Sequence, residues 1–132
     1  MPRVLLLISD SEVTNVASIA LRGAHFDVEA AATGEAALQA VEARCPDAVF
    51  VHTAAVPQGA GVFATQLRQT ICGESLPICL VGPRPDVEYE ARAYGCEFLP
   101  NPLSLLRLRA TARKMVAASR LSADPPSSRH VR

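Results

Sequence analysis

Lysine is nearly missing from this chain. It supplies one of thirteen basic residues and arginine the rest, which together with the abundance of alanine is the compositional mark of a GC-rich bacterial genome. Aromatic residues are also scarce. Four Phe and two Tyr are too few for a platform on which nucleic-acid bases could stack, and no helix-turn-helix unit is discernible. Long apolar runs are absent too: the chain opens with only five consecutive apolar residues, Val4 to Ile8, far short of a membrane span, and no small-residue cleavage site follows. This excludes a membrane partner and gives a cytoplasmic reading. Cys45, Cys72, Cys79 and Cys96 show neither CxxC nor CxxH spacing, and three of them sit beside apolar or helical-pattern residues as small buried hydrophobes do, so no metal, cofactor or disulfide is expected. A Gly-rich phosphate fingerprint is likewise lacking. Net formal charge is zero, but its distribution is uneven. Residues 1–106 hold six Arg against twelve acids, whereas residues 107–132 hold six Arg and Lys114 against Asp124 alone.

At 132 residues the chain fits one domain with a proper core, here expected over residues 1–120. Val4 to Ile8 has the continuous apolar character of a parallel strand covered on both faces. Ser9-Asp10-Ser11-Glu12 then matches a capping box, leading a helix with Val13, Val16, Ala17, Ala20 and Leu21 inward as far as Gly23. The alternation repeats. Strands are expected at Phe26–Ala31, Ala48–Val51, Ile78–Val81 and Phe98–Leu99. Helices are expected at Ala36–Arg44 (capped by Thr33), from Val62 to about Ile71, from Asp86 to Tyr94, and from Leu103 to about Ala118. Five strand–helix repeats joined by short loops imply a doubly wound α/β fold, with a parallel sheet and its site at the carboxyl ends of the strands. The tail, residues 121–132, contains Asp124-Pro125-Pro126-Ser127-Ser128 and has too little apolar content to pack; it is expected to be flexible.

Six pieces in this order carry a resemblance: LLLISDS on strand one, TGEAAL opening helix two, PDAVFV on strand three, PQGAG followed by FATQLR, LPICLV on strand four, and YGCEFLPNPL. Over residues 3 to about 118 the chain resembles the receiver domains of bacterial response regulators. The resemblance implies a flavodoxin-like (βα)5 sheet with strand order 2-1-3-4-5. It also implies a chemistry, in which a histidine kinase passes a phosphoryl group to an aspartate ending strand three. That reaction calls for two carboxylates after strand one to hold a divalent cation, a hydroxyl residue ending strand four, and a lysine before the proline after strand five. The cation and the ammonium neutralise charge that the acyl phosphate and its transition state could not otherwise carry.

This sequence departs from that pattern at nearly every position. Ser9 and Asp10 replace the acidic pair, so one carboxylate remains. The phosphoacceptor position falls on His52 counting from Pro46-Asp47, or on Thr53 counting back from Pro57. Gly82 stands at the hydroxyl position and Asn101 at the lysine position, while Phe98 holds the place of the switch aromatic. Asp47 cannot substitute, since it starts strand three, roughly 16 Å away at about 3.3 Å per residue. Asp10 has a second reading as a helix-dipole partner, which is preferred. Asn101-Pro102 can cap the last helix, and the resemblance suggests a cis bond there.

The expectation is therefore a non-enzymatic pseudo-receiver that acts without phosphorylation, as an interaction module or adaptor in two-component signalling. Its candidate contact face lies on helix four, strand five and helix five, with Tyr89, Arg92, Phe98, Leu106, Arg109 and Arg113. That face would dock a signalling protein or a second copy of the chain. Two alternatives stay open. One is a phosphorelay protein with His52 or Thr53 as an unconventional acceptor. The other is a nucleic-acid adaptor using the basic last helix and tail, against which a solvated helix face is preferred.

Overall fold

The computed structural model describes residues 1–122, and the side chains of residues 120–122 form no part of that description. Five strands, β1 (Arg3–Leu7), β2 (Asp27–Ala31), β3 (Ala48–His52), β4 (Ile78–Gly82) and β5 (Glu97–Pro100), alternate with five helices. The helices are α1 (Ser11–Gly23), α2 (Gly34–Ala43), α3 (Ala60–Arg68), α4 (Asp86–Ala93) and α5 (Leu105–Ser122). The sheet is parallel throughout, in the order β2-β1-β3-β4-β5. The expected doubly wound architecture is thus present, and the expected tail beyond Ser122 lies outside the described residues.

Each central strand feeds two cores, which is why the strands are apolar without alternation. Val4, Leu6, Phe50, Cys79 and Val81 point to one side, where Leu21 of α1 and Leu108, Ala112 and Met115 of α5 meet them. Leu5, Leu7, Val49, Val51 and Leu80 point to the other, against Val41 of α2, Phe63 and Leu67 of α3, and Val87 and Ala91 of α4. Among the described residues no helix is long and apolar enough to cross a membrane.

Several local expectations shift. The cap of α1 is Asp10 rather than Ser9: its Oδ1 accepts from the amides of Glu12 at 2.9 Å and Val13 at 3.3 Å. An aspartate cap satisfies two amides and meets the helix dipole at once. Replacing it by alanine is expected to cost about 1 kcal/mol in urea unfolding. Val16 is half exposed and Ile19 mostly so, leaving Ala17, Ser18 and Leu21 as the buried stripe of α1. Helix α3 ends at Arg68, three residues early, and its inward face is Ala60, Gly61, Phe63, Ala64 and Leu67, with Val62 and Gln66 outside. Leu105 is more exposed than the α5 pattern predicts. Thr33 caps α2 as expected, its Oγ1 accepting from Ala36 N at 3.1 Å. Asp86 does not cap α4; that position is Pro85, which offers no side-chain acceptor.

The cysteines need the main correction. Cys45, exposed just after α2, and Cys72, half-buried after α3, are disulfide-bonded with Cα atoms 5.6 Å apart. Cys79 is buried and Cys96 half-buried, both as free thiols. Only Cys79 behaves fully as the small core hydrophobe expected of three of the four.

Candidate functional site

At the carboxyl edge of the sheet, β3 runs one residue further than expected and ends in His52. A single 3-10 turn, Thr53–Ala55, follows, closed by Val56 N donating to Thr53 O at 3.1 Å. Gly59, at φ +121°, makes the bend from which α3 starts, a conformation that side-chain-bearing residues rarely adopt. Parallel register sets His52 beside Val81 on β4 and Gly82 beside Pro100 on β5. The backbone of Asn101 donates to Gly82 O at 3.2 Å, extending the ladder past β5. The Asn101–Pro102 bond is cis, as the resemblance implies, and so is Arg84–Pro85.

Four of the six predicted site positions converge. His52 Nε2 stands 3.3 Å from Asn101 Oδ1, so that the imidazole N–H donates to a side-chain amide oxygen. Thr53 packs over Gly82: a Cβ built on Gly82 would come within 2.7 Å of Thr53 Oγ1 and 2.7 Å of Val87 Cγ2. The space that a hydroxyl residue would need at the end of β4 is therefore already occupied. Ser9 and Asp10 do not join this group. Asp10 is committed to the amides of α1, and Ser9 lines a separate cavity of about 220 Å³ between the ends of β1 and β2, with Ile8, Ser11, Thr14 and Ala31. Asp47 accepts from Arg3 N at 2.8 Å at the far edge of the sheet, as its position just before β3 requires. Among the described residues, no three His, Cys, Asp or Glu side chains gather where they could hold a metal ion.

Chemically, the cluster joins an imidazole, an amide, a hydroxyl and a bare backbone position. It contains no carboxylate to phosphorylate and no ammonium to neutralise a phosphoryl group. The two bulky groups over Gly82, Thr53 and Val87, were not apparent from the sequence. The signal was there in complementary form, because a glycine ending β4 and a threonine one residue past β3 are volume partners across adjacent strands.

The predicted contact residues sit on one edge of the sheet. Tyr89 and Arg92 are exposed on α4, and Leu106 and Arg113 on α5. Phe98 of β5 is half-buried under Arg84, whose guanidinium carbon lies 5.4 Å from the ring centroid. Arg109 is only half exposed, and its Nε is buried without a hydrogen-bond partner, so it is less available than the pattern suggested. Lys114 is engaged by Glu97 Oε1 at 3.1 Å. Helix α4 and the turn after it are tied to the two ends of α3: Glu90 Oε2 accepts from Gly61 N at 2.8 Å, and Arg68 donates to the carbonyls of Tyr94 and Gly95. Tyr94 lies so close over Gly61 that no side chain fits between them.

No protein-family model and no curated protein sequence matches the chain. Solved structures do. A protein from Chloroflexus aurantiacus assigned as a response regulator superposes with a TM-score of 0.80 at 24% identity, over 89% of this chain and 99% of that one. The chemotaxis protein CheY4 of Vibrio cholerae gives 0.78 at 22% identity, over 87% and 98%. This chain has the receiver fold. NtrX from Brucella abortus contains the same fold as part of a longer chain, matching at 0.80 and 18% identity over 92% of this chain and 28% of its own. Within the receiver fold, the carboxyl edge that holds His52, Thr53, Gly82 and Asn101 is the edge on which such sheets build their sites.

Proposed function

We propose that this chain is a pseudo-receiver that signals without phosphorylation, a non-catalytic module that acts by binding another protein. The observation that carries the proposal is the filled volume over Gly82. A receiver of the ordinary kind transmits phosphorylation by moving a hydroxyl from the end of strand four toward the phosphate, with the aromatic residue of strand five following. Here that position has no hydroxyl, Thr53 and Val87 occupy the space, and Phe98 is capped by Arg84. The His52–Asn101 hydrogen bond spans the positions where phosphoacceptor and lysine would face each other. With α4 tied to α3, the surface made by α4, β5 and α5 is held in one state.

Exposed Tyr89, Arg92, Leu106 and Arg113 make that surface the docking face for a signalling protein or for a second copy of the chain. The nucleic-acid alternative draws less support, because Lys114 is paired with Glu97 and Arg109 is half-buried. Titration with magnesium and beryllofluoride, an acyl-phosphate mimic, is the direct test. The amides of Asp10, His52, Gly82 and Asn101 are expected to stay still at millimolar magnesium, and acetyl phosphate is expected to leave no label. Concerted shifts of those four amides, or stoichiometric labelling lost in His52→Ala or Thr53→Ala, would overturn the proposal in favour of an unconventional acceptor.

A further inference from the structure

The Cys45–Cys72 pair lies at the edge of the sheet opposite the His52–Asn101 cluster, and its chemistry is independent of the pseudo-receiver reading. Helices α2 and α3 pack on the same face of the sheet, and the connections that leave their C-terminal ends carry the two cysteines. The Cα separation of 5.6 Å lies in the range that a disulfide needs without backbone movement. Cys45 is exposed, and Cys72 is half-buried with its sulfur 3.7 Å from Val41 O of α2. The bond thus joins an exposed residue to a half-buried one. The remaining thiols contrast with this. Cys79 and Cys96 are removed from solvent to different degrees, and burial pushes both thiols up, which keeps them protonated and unreactive near neutral pH.

A domain of this length with two full cores has no need of a staple to fold. A solvent-accessible disulfide in such a domain belongs to the exchangeable kind rather than the structural kind. We infer that Cys45 and Cys72 form a reversible thiol–disulfide site, closed by a peroxide-class oxidant and reopened by a dithiol reductant. In the closing reaction the thiolate of Cys45, the more exposed residue, attacks one peroxide oxygen. The O–O bond breaks, hydroxide leaves and takes up a proton as water, and Cys45 becomes a sulfenic acid. The sulfur of Cys72 then attacks Cys45 Sγ and displaces the hydroxyl, which departs as a second water with the proton from Cys72. Two thiols lose two electrons in total and the peroxide gains them. A dithiol reverses the change through a mixed disulfide and is itself oxidised. Closure fastens the ends of α2 and α3 to each other.

The test uses the full chain, purified under reductant and then treated with hydrogen peroxide. Four free thiols per denatured chain are expected before treatment and two after it, with peptide mapping linking Cys45 to Cys72 and dithiothreitol restoring four. In Cys72→Ser, dimedone is expected to trap a sulfenic acid on Cys45. Retention of four thiols after peroxide would overturn the inference, as would a link through Cys79 or Cys96 or one between chains. A bond already present in protein prepared anaerobically, and resistant to dithiothreitol in the native state, would also overturn it by showing a permanent staple. The mapping is done on the parent chain, so it does not depend on whether any variant folds.

Discussion

Reducing the Cys45–Cys72 bond is expected to lower the free energy of unfolding by about 3–4 kcal/mol, the chain-entropy value for a loop closed across a sequence separation of 27. In a domain of this size that corresponds to a fall in melting temperature of roughly 10 °C. The loop contains β3 and α3, so the crosslink restricts a segment that runs through the middle of the sheet. Cys45→Ser and Cys72→Ser should each reproduce the reduced value, and dithiothreitol should then have no further effect on either. The reduced protein should still unfold cooperatively, because the loss is smaller than the roughly 5–15 kcal/mol that ordinarily separates folded and unfolded states. Thermal melts of the parent with and without reductant decide the matter. Curves that coincide within a degree or two would mean that the pair is not closed in solution.

The disulfide was also the feature least legible in the sequence. Cysteine spacing reports a site only where the ligands come from one turn or one knuckle. Cys45 and Cys72 lie on separate helix–strand connections and meet because α2 and α3 are neighbours on the sheet. The architecture itself was legible, since continuous apolar strands such as Val4 to Ile8 can be buried only between two layers of helices, and parallel crossovers then leave few topologies. Individual helix faces were less so. Val13, Val16 and Leu21 all fit a 3.6-residue period, but only contact with α5 and the sheet determines that Leu21 is buried and Val16 is not. Site positions could be placed by counting from Pro46, Pro57 and Pro102, yet the count could not choose between His52 and Thr53. The structure gives the two residues different partners: His52 reaches Asn101, and Thr53 covers Gly82.

That cover is the basis of the second large effect. Gly82→Ser restores a hydroxyl to the end of β4, and it is expected to destabilise the protein by about 1–3 kcal/mol, the usual cost of overpacking a filled site. The new Cβ would stand 2.7 Å from both Thr53 Oγ1 and Val87 Cγ2, distances that real Cβ atoms do not keep. Both contacts must be relieved, and because Val87 of α4 is packed in the core, the end of β4 has to shift away from it toward Thr53. Thr53, half-exposed in the short turn after β3, is the one that can yield. Thr53→Ala alone should therefore cost little, while Thr53→Ala combined with Gly82→Ser should recover most of the stability lost by Gly82→Ser. The coupling in the double-mutant cycle should then exceed the roughly 0.3–0.5 kcal/mol within which independent sites add. Urea unfolding of the four proteins measures it. Strict additivity would show that Thr53 does not occupy the strand-four position, and with that the fixed surface proposed for α4, β5 and α5 would lose its physical cause.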